Sequence, residues 1–364
     1  MLGKKVWGIL MATAMTVSTV IGGAVVTNAE TSDAGEDVTL TFWTPSWREA
    51  AEAPIIEDFM KEYPNIKIDV TYMSSDDIKA NTKIAASSGT LPDMWYNWGG
   101  VLADFYAENG LCLDLTEYAE EHDWDNTYLS GALDLCKYDD QLIGLPQNLV
   151  GLVMYYRKDI FQKCGIEVPK TFEELETVCA TLKENGVIPF SSYGSHMMRY
   201  MEELIEYYGG PDALKKSFEK LKEWNDAGYF PDGVLTADNS VASMYVYNGE
   251  CAMIMENPGM ASQIVANGYN PDDYGWFQFP TNDKGTGRLS AYVKLCQFNA
   301  DITDEKLDAA MTFWNYYYSD ESLAAHAAIE QPTARIGAPL PENYALADGM
   351  LDLINTNGGF ESSG

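Results

Sequence analysis

The sequence predicts an α/β protein of two domains, and three observations carry that reading. Strand-period and helix-period apolar patterns alternate along the chain. A strand–helix–strand unit occupies the first 35 or so residues of the ordered part, which forces a parallel strand pair with a right-handed crossover. About 335 residues after an export-type leader suit two domains of ordinary size, each able to bury its own core.

The leader comes first. Lys4 and Lys5 precede a run from Val6 to Ala29 without a charge, and Thr27 and Ala29 stand at the −3 and −1 positions of a cleavage site before Glu30. That is the layout of a secretory signal peptide over residues 1–29. The run is also long enough to span a bilayer if left uncut, so an uncleaved N-terminal anchor is the second outcome. Either way the remainder is expected outside the cytoplasm, at the extracellular face of the membrane or in a periplasm. Residues 30–37 read as an acidic linker.

The ordered pattern begins at Val38. Leu40 and Phe42 alternate with Thr39, Thr41 and Trp43, a strand; Ile55, Ile56, Phe59, Met60 and Tyr63 recur at helical spacing over 49–63; Ile66, Ile68, Val70 and Tyr72 alternate again. A helix is expected over 76–88, a short aromatic strand at Met94–Trp98, and helices over 101–109 and 116–121. The apolar run 149–156 reads as one strand buried on both faces. Thr171 and Glu174 make a capping box for a helix with Leu175, Val178, Cys179 and Leu182 on its core stripe. Helices follow at 199–208, 212–226 and 304–318, and strands at 251–255, 275–279 and 291–298.

Composition removes whole classes of partner. The chain carries 23 Lys+Arg against 55 Asp+Glu, a formal charge of −32, which repels phosphate backbones and excludes nucleic acid. Cys112, Cys136, Cys164, Cys179, Cys251 and Cys296 show no C-x-x-C spacing and read as isolated core thiols. His122, His196 and His326 are scattered, and there is no P-loop, nucleophile elbow, dinucleotide fingerprint or EF-hand loop. The expectation is a non-enzyme with no cofactor and no metal.

The informative residues are aromatic: 9 Trp and 23 Tyr. Trp43 is followed by Thr44-Pro45-Ser46-Trp47-Arg48, and Trp95 and Trp98 bracket Tyr96-Asn97, each cluster at a strand end beside a turn. Ligands of parallel α/β sheets bind outside the carboxyl ends of the strands. An indole face suits the apolar C–H face of a sugar ring, while Arg and Asn suit its hydroxyl rim. The alternative is that these Trp residues cap the sheet as core.

Five segments, in order, carry a family pattern: Leu40-Thr41-Phe42-Trp43 with the helix ending Phe59 to Pro64; Ala85 to Asp93, like A-x-G-x-x-P-D; Ile143-Gly144-Leu145-Pro146 with Met154 to Phe161 and Pro169 to Glu174; Tyr247 to Met253, like F-x-x-G-x-x-A-M; and Phe279-Pro280 with a helix ending Tyr318 to Glu321. Over residues 38–335 the chain resembles the extracellular solute-binding proteins of carbohydrate ABC importers, the family that includes maltose-binding protein.

The resemblance implies a two-lobed periplasmic-binding-protein-like fold of type II, each lobe a mostly parallel sheet flanked by helices. Lobe 1 would comprise 38–147 and 294–335, and lobe 2 148–293 and 336–364. The chain would cross between them near Pro146–Gly151, near Ser290–Leu295 and near 333–342. It also implies a monomer that captures a mono- or oligosaccharide and docks on ABC permease subunits. A peptide or polyamine ligand is the alternative within the fold, and a glycan-active enzyme or adhesin the alternative outside it. The site residues it implies are Trp43, Trp47 and Arg48; Trp95, Asn97 and Trp98; Gln147 and Asn148 at the first crossing; and His196, Arg199 and Asn257 on the second lobe.

Three departures stand out. After Ala252-Met253 the family often offers a stacking Trp, where this chain has Glu256-Asn257-Pro258-Gly259; there is no cysteine before Cys112 to carry a lipid; and the chain stops at Gly364 where the family adds helices to lobe 2, which predicts a C-terminally truncated or divergent member.

Overall fold

The computed structural model describes residues 37–282, 287–326, 333–338, 340, 342–357 and 359–361. The leader read over 1–29 and the acidic linker through Glu36 lie outside the described residues.

The expected strand–helix–strand opening is present. Strand β1 (Val38–Pro45) leads through the helix Glu49–Glu62 to β2 (Ile66–Met73), and the helix Ser75–Ser88 leads on to β3 (Met94–Trp98). β1 pairs in parallel with both β2 and β3. The helices close where their sequence says. Ser74 caps the second through its side chain, accepting from Asp77 N, and Gly89 ends it at φ 67°, a left-handed position glycine takes without strain. One carboxylate fastens this corner. Asp93 accepts from the backbone N and the hydroxyl of Thr41, both at 2.8 Å, and from Lys306 Nζ at 2.8 and 2.9 Å, tying the entry to β3 to β1 and to the helix Asp304–Tyr317.

A tight hairpin of β4 (Lys137–Tyr138) and β5 (Gln141–Leu142) turns on Asp139 and Asp140, both at positive φ. The apolar run expected as one strand is two: β6 (Leu145–Gly151) and β7 (Val153–Arg157). The break has a physical cause. β6 pairs antiparallel with β11 (Leu289–Phe298), whereas β7 pairs with β9 (Cys251–Glu256), so the chain changes sheets at Leu152, whose N–H bonds Ser290 O at 2.9 Å. Gly144, just before β6, lies so close to β11 that a Cβ there would sit 2.5 Å from Leu295 Cδ1 and 2.9 Å from Cys296 O.

The first sheet has the order β12-β11-β3-β1-β2, with β6 also on β11 and with β12 at Gly359–Glu361. The second has the order β10-β7-β9-β8, with β8 at Ile188–Ser191 and β10 at Tyr274–Phe277. A mostly parallel second sheet was expected, and this detail is corrected: β10–β7 and β7–β9 are antiparallel, and only β8–β9 is parallel. The partners of β7, β9 and β10, come much later in the chain, so no strand–helix–strand crossover joins β7 to either of them and a parallel pairing is not imposed.

Core burial follows the predicted stripes. Phe42 meets Trp314 edge-on at 5.6 Å, Phe59 meets Phe313 at 5.2 Å, and the stripe Leu175, Val178, Cys179, Leu182 is buried under the second sheet. The capping box at Thr171 and Glu174 forms as read, a contribution of about 1 kcal/mol. All six cysteines are free thiols, four of them buried. Among the described residues no helix is long and apolar enough to cross a membrane.

Candidate binding site

The site is built around β11, the long strand shared by β3 and β6. In the register of this antiparallel set, Lys294 stands opposite Trp98 and Asn148, and Tyr292 opposite Val150. Residues directly opposite share a face, so Trp98, Lys294, Asn148 and Tyr292 form a floor.

On one side of the floor stands the exit of β1. Pro45 is extended (φ −66°, ψ 140°) and feeds a 3-10 turn at Ser46–Arg48, in which successive side chains diverge by about 120°. Trp47 is turned outward and is 44% exposed; Arg48 is turned inward and is 2% exposed. The Trp47 ring meets the Tyr96 ring edge-on at 5.9 Å, with Lys294 Nζ 4.7 Å from its centroid. Tyr96 in turn meets Trp98 edge-on at 4.9 Å, and Lys79 Nζ lies 4.4 Å from the Trp98 centroid. Arg48 is ion-paired with buried Glu52, which also accepts from Thr44 Oγ1 at 2.8 Å. The guanidinium reaches Asn148 Oδ1 at 3.4 Å and Tyr317 OH at 3.2 Å. It thereby joins the β1 exit, β6 and the helix Asp304–Tyr317.

On the other side stands the end of β9. Glu256 is buried, and its two oxygens are taken by Arg199 Nη1 at 2.9 Å, Tyr193 OH at 3.0 Å and the N–H of Asn257 at 3.1 Å. Burial pushes its carboxyl up, but the Arg199 charge and the His196 contact pull harder, leaving it at about 2. His196 Nδ1 lies 3.9 Å from Glu256, and its ring lies 4.0 Å from the Tyr193 ring. The Arg199 and Glu256 charges both act on Tyr292, whose phenol burial raises to about 12. Asn257 accepts from Gly259 N at 2.8 Å and so shapes the turn after β9.

Gln147 lies between the two sides. The β6–β11 register shifts beside it, its carbonyl accepts from Ala334 N at 2.8 Å, and its fully buried amide has no partner among the described residues. Irregularities of this kind re-aim side chains next to sites, and an unpaired buried amide costs about 1–3 kcal/mol unless something fills its bonds.

The structure therefore brings Trp47, Arg48, Trp98, Gln147, Asn148, His196 and Arg199 to one region, with Asn257 at its edge. It does not bring Trp95 and Asn97 there, and that expectation is corrected. Side chains alternate along a strand, so Trp95 and Asn97 point away from Tyr96 and Trp98. Trp95 is fully buried with its ring 5.1 Å from Tyr106, and Asn97 Nδ2 donates to Gln297 Oε1 at 2.8 Å and to Leu102 O at 3.1 Å. Trp43 stands in register with Trp95 on that same face, half-buried. Sequence reasoning passed over Tyr96, Lys294, Tyr193 and Tyr292. Tyr96 was legible, since only residues of equal parity share a strand face; the others depend on pairings made far along the chain.

The profile of the bacterial extracellular solute-binding proteins matches residues 44–324. An uncharacterized ABC transporter extracellular-binding protein of Pyrococcus horikoshii is 24% identical over 310 residues, covering 76% of this chain and 71% of that protein. A probable sugar-binding periplasmic protein of Mesorhizobium japonicum is 24% identical over 235 residues, covering 64% of this chain. The chain spans only 55% of that relative's length. Among solved structures, a chitin oligosaccharide binding protein superposes with a TM-score of 0.76 at 21% identity, over 90% of this chain and 89% of that one. The raffinose complex of RafE superposes at 0.71 and 19% identity, over 89% of each chain. Both likenesses establish the two-lobed fold. With the profile covering most of its length, the chain belongs to the bacterial extracellular solute-binding protein family.

Proposed function

We propose that this chain is the solute-capturing subunit of an ABC importer, that it binds a sugar or oligosaccharide outside the cell, and that it delivers it to a membrane permease without a chemical step. The single observation that carries the reading is Trp47, a large ring 44% exposed beside Tyr96, set across the β11 floor from the Glu256–Arg199 pair. An indole face for the C–H side of a pyranose, with fixed charged groups for its hydroxyls, is a sugar site in outline. The named relatives and neighbours that bind sugars support the same reading.

On this reading the chain is a monomer. Lobe 1 comprises 38–147 and 294–335, lobe 2 comprises 148–293 and 336–364, and Gln147, Asn148 and Tyr292 lie where they meet. A ligand that touches both lobes favours the closed arrangement through its differential contacts.

The test is a thermal-shift series on the purified chain with chitin oligosaccharides, raffinose and maltose, repeated on Trp47→Ala. A ligand at 100 times its Kd stabilises by about 2.7 kcal/mol. A glycan-dependent rise in Tm that Trp47→Ala removes is the expected result. The absence of a rise with every glycan overturns the sugar reading, and turnover of a bound glycan overturns the non-catalytic one.

A further inference from the structure

A second concave feature lies on a different part of the molecule. Between the helix Glu49–Glu62 and the helices Asp304–Tyr317 and Asp320–His326 runs a groove of about 590 Å³, lined by Asp58, Glu62, Tyr63, Tyr316, Glu321 and Ser322 among others. None of these residues takes part in the cleft described above.

Its chemistry is one-sided. Tyr63 is stacked on Phe59 at 4.8 Å and meets Tyr316 edge-on at 6.2 Å, so two phenol rings stand in the wall. Three carboxylates act on one of them: besides burial, the charges of Asp58, Glu62 and Glu321 push the Tyr316 phenol up. Asp58 shares Lys61 with Glu57, whereas Glu62 and Glu321 have no ion-pair partner among the described residues. Ser322 lines the same groove; it is 5% exposed, and its buried Oγ has no hydrogen-bond partner among the described residues. A buried hydroxyl left without a partner is uncommon.

Acidic side chains are abundant on this chain, and most need no explanation beyond solubility. Here they coincide with a concavity, two aromatic rings and an unpaired hydroxyl. Aromatic faces attract cations through the ring quadrupole, carboxylates supply the counter-charge, and a hydroxyl accepts an N–H. We propose that this groove is a second binding site, separate from the cleft, for an organic cation: an alkylammonium or guanidinium group resting in the groove against the touching rings of Tyr63 and Tyr316 and the carboxylates of Glu62 and Glu321. That group reaches the groove either on a free polyamine or on a basic side chain of a partner protein.

The experiment is calorimetric titration of the full chain with spermidine and, separately, with a capped tetralysine peptide. It is run on the native chain, on Glu62→Gln/Glu321→Gln, and on the control pair Glu117→Gln/Glu173→Gln, all four positions being exposed. Each pair removes two charges, so only location differs. The expected result is saturable one-to-one binding of at least one probe, weakened about tenfold or more by the groove pair, roughly 1.4 kcal/mol, and less than about twofold by the control pair. Saturation by spermidine assigns the groove to a free amine; saturation by the peptide alone assigns it to a partner's basic side chain. No saturable binding, or equal weakening by both pairs, overturns the proposal. Glycan-dependent Tm shifts measured on the groove pair remain at the native value, so a failure here is distinct from a failure of the sugar reading.

Discussion

Asp93 is 14% exposed and carries four contacts: two from Thr41 and two from Lys306. Asp93→Asn keeps the shape and one carbonyl oxygen but removes the charge. Hydrogen bonds to a charged group contribute about 1.5–3 kcal/mol and neutral ones about 0.5–1.5, so the two Thr41 bonds lose about 1 kcal/mol each. The Lys306 ammonium is 35% exposed, and its ion pair is discounted to about 0.5 kcal/mol for solvent screening. The expected cost is about 2–3 kcal/mol. Asp93→Ala also strands the Thr41 N–H, and the cost rises by about 1–3 kcal/mol. Burial alone would raise the Asp93 carboxyl, but Lys306 and the Thr41 N–H and hydroxyl outweigh it, and the folded value lies below the ordinary one. A depressed carboxyl stabilises the fold above its unfolded value, about 3.9, and that contribution is lost as pH falls through the folded value. The gap between native chain and Asn variant is therefore full at pH 7 and narrows below about pH 4. Urea unfolding followed by tryptophan fluorescence at both pH values measures it. A gap under about 0.5 kcal/mol at pH 7, or one that is the same at low pH, refutes the latch.

Two tryptophans separate surface from core: Trp95→Ala is expected to cost about 3–5 kcal/mol in urea unfolding. Trp47→Ala is expected to change stability by less than about 1 kcal/mol, since the ring is 44% exposed, while abolishing the glycan-dependent Tm shift. Glu256→Gln leaves Arg199 buried without its counter-charge, at about 3–5 kcal/mol. Because the Glu256 carboxyl is held at about 2, against about 4.3 unfolded, its contribution is whole above that unfolded value and lost as pH falls toward 2; pH-dependent calorimetry on both chains checks this. The thiols of Cys136, Cys179, Cys251 and Cys296 are buried and pushed up by that burial. A thiol reagent is expected to reach them only after denaturant unfolds the chain, and rapid labelling of all four in the native state would contradict the core assignment.

Much of the fold was legible because local pattern and final burial agree. The strand at Val38, the helix from Glu49, the helix from Phe172 with its capping box, and β3 all form within one or two residues of the reading. The run 149–156 was misread as one strand because hydrophobicity reports burial, not which sheet does the burying. Leu152 is as buried as its neighbours, yet the pairing partner changes there from β11 to β9. The wall after β1 was half legible in the same sense. Trp47 and Arg48 were picked together, but only the 3-10 turn sends one outward and the other onto Glu52.

By itself, the sequence determined the alternation of strands and helices, the helix ends and the aromatic strand ends, since each depends on neighbours a few residues away. Tertiary structure alone decided that β11 supplies the floor, that Tyr96 rather than Trp95 stands beside Trp47, and that Arg199 is clamped by Glu256. It also gathered Glu62 and Glu321, more than 250 positions apart in the chain, around the same two tyrosines. Those are contacts between residues distant along the chain, set by strand register and helix placement, and no local period encodes them.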